Sequence, residues 1–139
     1  MSDTLIRAAF ETRLYAWANA RTLSLPIAFE DVEFTPPAGG GTYLQAYLLP
    51  SNVDSTDLEG AHTLYQGVFQ VSIVTAAGHG RGAASAIADE IRDLFPSNLA
   101  LNQSGLTVYV MSPLSTAGAI QGDTTTALPT SFRYRADTF

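Results

Sequence analysis

One segment of the chain passes from an alternating strand through a glycine-rich loop into a helix, and it restricts the possible folds most strongly. In "LYQGVFQVSIV", the apolar residues Phe69, Val71 and Ile73 alternate with polar ones, which is typical of a strand with one covered face. Beyond the glycines, apolar residues return at helical spacing until Pro96: Ala84, Ile87, Ala88, Ile91, Leu94 and Phe95. The sequence therefore predicts a sheet that carries a helix on one side.

The remaining elements are predicted from the same two periodicities. A first helix is expected over residues 3–18, where large apolar side chains recur at helical spacing: Ile6, Phe10, Leu14 and Trp17. Strands are expected at 27–34 with a bend at Glu30–Asp31, at 42–50 ending at Pro50, at 106–112 and at 129–137, with one weak strand at 115–127. The polar residues 51–62 are predicted to form a mobile loop.

This order of elements predicts a fold class. Strands that alternate apolar and polar residues suit a sheet with one solvated face. We therefore expect a single α+β domain over residues 1–139, with a mixed, mainly antiparallel β-sheet and two helices packed on one face.

The loop "GHGRGA" fits the dinucleotide-binding pattern G-x-G-x-x-G/A. Such a site needs a strand buried on both faces and an acid about twenty residues later, but Gln70 and Ser72 lie in the strand and no acid occurs between Leu94 and Gly122. A Walker loop is excluded because the chain has no lysine. The glycines are instead expected to permit positive φ and close docking of the helix on its strand. The alternative is a small-ligand or nucleotide-binding domain that uses Gly78–Ala83.

No other constellation indicates catalysis. The chain has no cysteine and only two histidines, His62 and His79, without metal-site spacing. Ser85 lacks the glycines of a nucleophile elbow. The acids of the second helix are expected on its solvent face, which offers no cleft to raise a carboxyl pKa. The sequence predicts no enzyme, no cofactor and no metal.

Charge restricts the partners. Seven arginines are scattered among thirteen acids, for a net charge of −6, whereas a nucleic-acid-binding protein needs clustered positive charge. The first residues, "MSDTLIRAAFETRLYAW", resemble neither a signal peptide nor a membrane span. Specific DNA binding and membrane insertion are therefore not expected.

Three segments together resemble the phage tail-terminator family: "FEDVEFTPP…TYLQAYLLP", "YQGVFQVSIVTAAGHGRGAASAIADEIRDLF" and "PTSFRYRAD". The resemblance covers nearly the whole chain, and it lies in apolar and turn patterns rather than in catalytic motifs. It implies an α+β subunit of the virion tail or neck, assembled in the bacterial host cytoplasm. It also implies a hexameric ring that caps the tail tube, contacts the tail tube protein and a head-completion (stopper) protein, and needs no cofactor.

Two expectations follow for the ring. Six copies would carry a charge of about −36, so DNA is expected to pass through an acidic or neutral channel without specific binding. The final strand is expected to pair across the protomer boundary with an acidic segment, which gives five candidate interface residues: Asp54, Asp57, Glu59, Arg133 and Arg135. The sequence leaves open whether an isolated protomer is a monomer until it meets the tube.

Overall fold

The computed structural model describes residues 2–22, 24–30, 32–37, 41–55, 63–78 and 82–138. Two helices and eight strands follow one another along these segments. Their bounds are α1 Ser2–Ala20, β1 Ile27–Ala28, β2 Tyr43–Ser55, β3 Thr63–Ala76, α2 Gly82–Leu94, β4 Ala100–Gln103, β5 Leu106–Val110, β6 Ser115–Thr116, β7 Ile120–Gln121 and β8 Thr125–Thr138.

The strands form one curled, mixed sheet. Its order is β1-β2-β3-β8-β5-β4, and the short strands β6 and β7 also pair with β8. Only β1 and β2 run parallel among the described pairs; all the others are antiparallel. The expectation of an α+β fold with a mixed, mainly antiparallel sheet is confirmed.

Both helices pack against the same face of this sheet. The ring of Phe10 on α1 lies with its centroid 5.0 Å from that of Phe69 on β3 and 5.2 Å from that of Phe132 on β8. The ring of Phe95, directly after α2, lies 5.9 Å from Phe10 and 5.0 Å from Phe132. All four side chains are at most 1% exposed, and burying each one stabilises the fold by about 1.5–3 kcal/mol.

Polar contacts fix the two helices relative to each other. Arg21, just beyond α1, donates to both carboxylate oxygens of Glu90 on α2, at 3.0 and 2.8 Å. These hydrogen bonds lower the pKa of Glu90. Farther along the helices, Arg13 Nε donates to the Leu94 carbonyl oxygen at 2.8 Å.

Strand β2 differs from its prediction, because it continues through Pro50 to Ser55 instead of ending at Pro50. The N–H groups of Leu44 and Leu48 donate away from β3, to Pro26 O and to a Glu30 carboxylate oxygen. Pro50 is an even number of residues from both, so its nitrogen also points to the edge of the sheet. The N–H that proline lacks is therefore not needed for the hydrogen bonds between β2 and β3. The pairing register then shifts between Pro50 and Val53. Residues 51–55 of the expected loop are therefore strand, and 56–62 lie outside the described residues.

The predicted strand at 27–34 is also wrong for most of its length, since only Ile27 and Ala28 pair with β2. Beyond Ala28, a carboxylate oxygen of Glu30 accepts the Leu48 N–H at the edge of β2, at 2.6 Å. A side chain thus replaces the backbone partner that a longer β1 would supply. Between β5 and β8 the structure has two short strands, β6 and β7, where one was expected.

The space beside the Cα atom of Gly67 on β3 is filled by three atoms of neighbouring strands. A Cβ added there would meet Leu49 O at 2.5 Å, Tyr134 Oη at 2.8 Å and Pro50 Cα at 2.9 Å. Tyr134 is the cross-strand partner of Gly67 on β8 and is 1% exposed. Burial first, and then the charge of Asp3, raise the pKa of Tyr134 to about 12, while Arg7 lowers it. The absence of a side chain at Gly67 therefore makes room for the phenol.

Candidate interaction surface

The glycine-rich loop does not belong to a dinucleotide-binding unit. Strand β3 is antiparallel to both of its neighbours, β2 and β8. The strand that follows α2 is β4, and it runs opposite to β3, because β4–β5, β5–β8 and β8–β3 are all antiparallel. A dinucleotide fold requires a parallel strand after the helix, so this topology does not provide it.

The structural role of the glycines is confirmed only in part. Gly78 has φ +86°, a conformation that favours glycine. A Cβ at Gly78 or at Gly82 would meet nothing within 4 Å, so close docking of the helix does not explain these two positions and that part of the prediction is wrong. His79, Gly80 and Arg81 lie outside the described residues.

A cleft of about 580 Å³ lies beside the first turn of α2. Its lining is mostly apolar and includes Leu25, Pro26, Ala83 and Ile87. The charged group at its wall, Arg21, is bound to Glu90 and lies 5.5 Å from the Trp17 ring. Its guanidinium is therefore already engaged within the protein, and none of the other described residues that line the cleft is a cation that could bind a phosphate.

The opposite face of the sheet is covered by neither helix and carries large apolar side chains. Leu49 on β2, Val68 on β3 and Arg133 on β8 form one row across the strands, and Met111 joins it by donating its N–H to Arg133 O at 2.7 Å. Tyr109 on β5 lies in the neighbouring row. Leu49, Met111 and Tyr109 are 47%, 44% and 42% exposed.

Two shallow grooves flank Val68 and Arg133 on this face. One, of about 400 Å³, includes Leu49, Met111 and Arg135 in its lining. The other, of about 420 Å³, lies towards β6. We call Leu49, Val68, Tyr109, Met111, Arg133 and Arg135 the outer-face patch. Exposed apolar side chains gathered around a charge are typical of a protein–protein contact.

The structure brings two of the five predicted interface residues together. Arg133 and Arg135 both project from the outer face of β8 and are exposed, while Tyr134 between them is buried on the helix side. Asp54 lies on β2 opposite Leu64, so β3 separates it from the arginines within one protomer. Asp57 and Glu59 lie outside the described residues.

Strand β8 is interior to the sheet, so a neighbouring protomer cannot pair with its backbone, and the predicted contact of Arg133 and Arg135 with an acidic segment of the next protomer stays a prediction. Strand β8 pairs with β3 along its whole length, and β5, β6 and β7 occupy its other side. Alternation of side chains is the same in edge and interior strands, so the sequence could not distinguish them. A neighbour can reach Arg133 and Arg135 only through their side chains.

Arg133 differs from the other arginines that the structure describes. Four of them contact acids or carbonyl groups of their own chain: Arg7, Arg13, Arg21 and Arg92. Arg135 also has an interaction partner. Within the described ranges, the Arg133 guanidinium makes no hydrogen bond or ion pair. It is therefore available to a partner.

Sequence reasoning missed the apolar members of the outer-face patch, although a signal existed. In "YLLP" and "YVM" two apolar residues are adjacent, so one of each pair must face away from the core in a strand. Leu48 and Val110 are the buried members, and Leu49 and Met111 the exposed ones. A break in alternation thus marked the patch.

Two other features are absent from the part of the chain that the structure describes. No helix in that part is long and apolar enough to cross a membrane. The same part of the chain holds no group of three or more histidine, cysteine or acidic residues that could bind a metal.

Both helices cover one face of the sheet, and the other face exposes apolar side chains together with two arginines. This arrangement defines a protein that can act through contacts with other proteins. The chain belongs to the phage tail terminator protein family, whose model matches residues 5–134. It is accordingly a structural component of a phage tail. The resemblance found in the sequence is confirmed.

Comparison with solved structures supports the fold. One solved protein is 46% identical, with a TM-score of 0.84, and the match covers 98% of this chain and 96% of that chain. The name of that protein states no function. No curated protein matches the chain in sequence.

Proposed function

We propose that this protein forms a hexameric ring that caps the tail tube and provides the interface for joining the tail to the head. Its partners are then further copies of itself, the tail tube protein and a head-completion protein, and assembly takes place in the host cytoplasm. The observation that carries the proposal is the match of the tail terminator family over residues 5–134. The outer-face patch supports it, because a ring subunit needs uncovered contact surfaces.

Electron microscopy tests the ring directly. The purified protein is imaged alone and after addition to polymerising tail tube protein. We expect six-fold rings, free or at one end of tubes, and tubes that stop growing once they are capped. Tubes that grow equally with and without the protein, and that carry no additional density at their ends, would contradict the proposal.

The ring interface is proposed to include charge contacts between side chains. Arg133 and Arg135 of one protomer would meet an acidic segment of the next, which contains Asp54, Asp57 and Glu59. Because both arginines are exposed, reversing their charge should weaken association without unfolding the protomer.

The double variant R133E/R135E tests this contact, with R133K/R135K as the charge-conserving control. We expect the first to shift the concentration midpoint of assembly at least tenfold in light scattering and the second to stay close to the wild type. Thermal unfolding verifies that both variants fold. Unchanged assembly of R133E/R135E would remove these residues from the interface.

The channel is proposed to be acidic or neutral, so that DNA passes without being held. The net charge of −6 per chain supports this, because tight contacts to phosphates need clustered cations. A filter-binding titration of the assembled ring should show only weak DNA binding. A steep decrease of affinity with salt, characteristic of several phosphate contacts, would contradict it.

A further inference from the structure

A second exposed apolar patch surrounds Phe29, beside the edge of β2. The Tyr15 and Phe29 rings are 6.5 Å apart, and Val32 donates its N–H to Phe29 O. Tyr15 is 57% exposed and Val32 is 61% exposed. We call Tyr15, Phe29, Val32 and Glu33 the edge patch. Tyr15 and Val32 are exposed, as the outer-face residues are, while Phe29 is half-buried and packs against the core.

The edge patch has the opposite charge to the outer-face patch. Glu33 is exposed and makes no hydrogen bond or ion pair among the described residues. Glu30, next to Phe29, accepts the Leu48 N–H at 2.6 Å and lies 3.7 Å from the Arg7 guanidinium. Burial raises the pKa of Glu11, Arg7 lowers it, and the nearby charge of Glu30 raises it further, which places another carboxyl group beside this region. Acids therefore predominate here.

From these two surfaces we propose that the edge patch of one copy docks on the outer-face patch of the next, with Glu33 facing Arg133. This rests on the proposed function and adds Glu33 to the acids of the next copy that Arg133 would meet. Val32 would lie in the groove beside Val68 and Met111, where apolar surface is exposed on both sides. The guanidinium and the carboxylate without partners in one protomer would then satisfy each other.

The two patches favour a head-to-tail arrangement of copies. They lie at different places on one chain, so each copy would use one patch on each side, which is the contact type that generates rings. A chain with a net charge of −6 repels its copies at long range. Unpaired positive charge on the outer face therefore determines where a second copy can approach. A second copy is the favoured occupant because this chain itself carries the complementary acidic, apolar surface.

Charge exchange tests the contact. The variants R133E and E33R are examined by light scattering over a range of concentrations, alone, mixed in equal amounts and combined in one chain. We expect each variant alone to associate at least tenfold more weakly than the wild type. The mixture and the double variant should recover to within about threefold, since both restore opposite charges across the contact. D93R is the matched control, because Asp93 is an exposed acid on α2, outside both patches, and it should leave association unchanged.

A cysteine pair gives a second measurement that does not depend on charge. The chain has no cysteine, so V32C and M111C can be mixed and oxidised. We expect the V32C–M111C heterodimer to exceed the two homodimers combined, since random pairing of equal amounts would make the two equal.

Three results would overturn the inference: E33R associates like the wild type, charge exchange gives no recovery, or the cysteines pair at random. Rings that persist in both charge variants would remove this contact and leave the proposed function standing. A wild-type protein that forms no ring, alone or on tubes, would remove both.

Discussion

Gly67 gives the sharpest test of how the sheet is packed. The position is interior to the sheet, between Pro50 on β2 and Tyr134 on β8. Replacing it with alanine puts a Cβ 2.5 Å from Leu49 O, 2.8 Å from Tyr134 Oη and 2.9 Å from Pro50 Cα. Two of these atoms belong to the backbone of β2, so a side-chain rotation cannot relieve the overlap.

The cost follows from those contacts. Overpacking a well-packed site costs about 1–3 kcal/mol, and we expect the upper end because backbone must shift. The reduced entropy of the unfolded chain offsets about 0.4–1 kcal/mol of this. We therefore expect Gly67→Ala to lower the free energy of unfolding by about 2 kcal/mol. For a chain of this size the melting temperature should decrease by about 4–8 °C.

Urea unfolding followed by circular dichroism measures the difference. Gly118→Ala is the matched control, since a Cβ there meets nothing within 4 Å and no positive φ is involved, and it should change stability by less than about 0.5 kcal/mol. In the G67A background, Tyr134→Phe removes only one of the three contacts and should recover less than half of the loss. A G67A protein within about 0.5 kcal/mol of the wild type would refute the packing argument. Full recovery by Y134F would show that β2 is not what resists the new side chain.

Two pH-dependent predictions follow from the cited pKa shifts. Because the pKa of Tyr134 is about 12 in the folded state and about 10 in an unfolded chain, the unfolded state loses its proton first as pH rises. The free energy of unfolding should therefore decline from pH 10 to 12 by at most about 2.7 kcal/mol more than in Y134F; parallel urea titrations of both proteins measure this, and equal slopes would contradict it. Arg21 lowers the pKa of Glu90, so the stability that Glu90 contributes is present at neutral pH and lost as pH falls through its folded-state pKa. The difference in stability between the wild type and E90Q should accordingly shrink as pH is lowered from 7 to 3, and a difference independent of pH would exclude the ion pair as its source.

Much of the fold could be predicted because local chemistry determines it. The helical spacing of Ile6, Phe10 and Leu14 identified the first helix, and all three side chains are fully buried. The alternation in "VFQVSIV" identified the core face of β3 correctly, with Phe69 and Ile73 at 0% exposure. These patterns depend on neighbours three, four or two residues away, so the sequence contains them directly.

The neighbours of each strand could not be predicted in the same way. Phe132 and Tyr134 alternate with arginines as they would in an edge strand, yet β8 lies inside the sheet. Pro50 ends a strand by the usual rule, but its missing N–H points to an open edge and the strand continues to Ser55. Both outcomes depend on which distant segment lies alongside.

The candidate interaction surface also combines residues that the sequence could predict with residues that only the tertiary structure brought together. Sequence alone identified Arg133 and Arg135 as exposed charges on one strand face, and its apolar patterns pointed to the tail terminator family. Only the tertiary structure placed Leu49, Val68 and Met111 beside Arg133, since these residues come from three separate stretches of chain. Periodicity along a chain determines which side of an element a residue occupies, whereas hydrogen bonding between distant strands decides which residues share a surface.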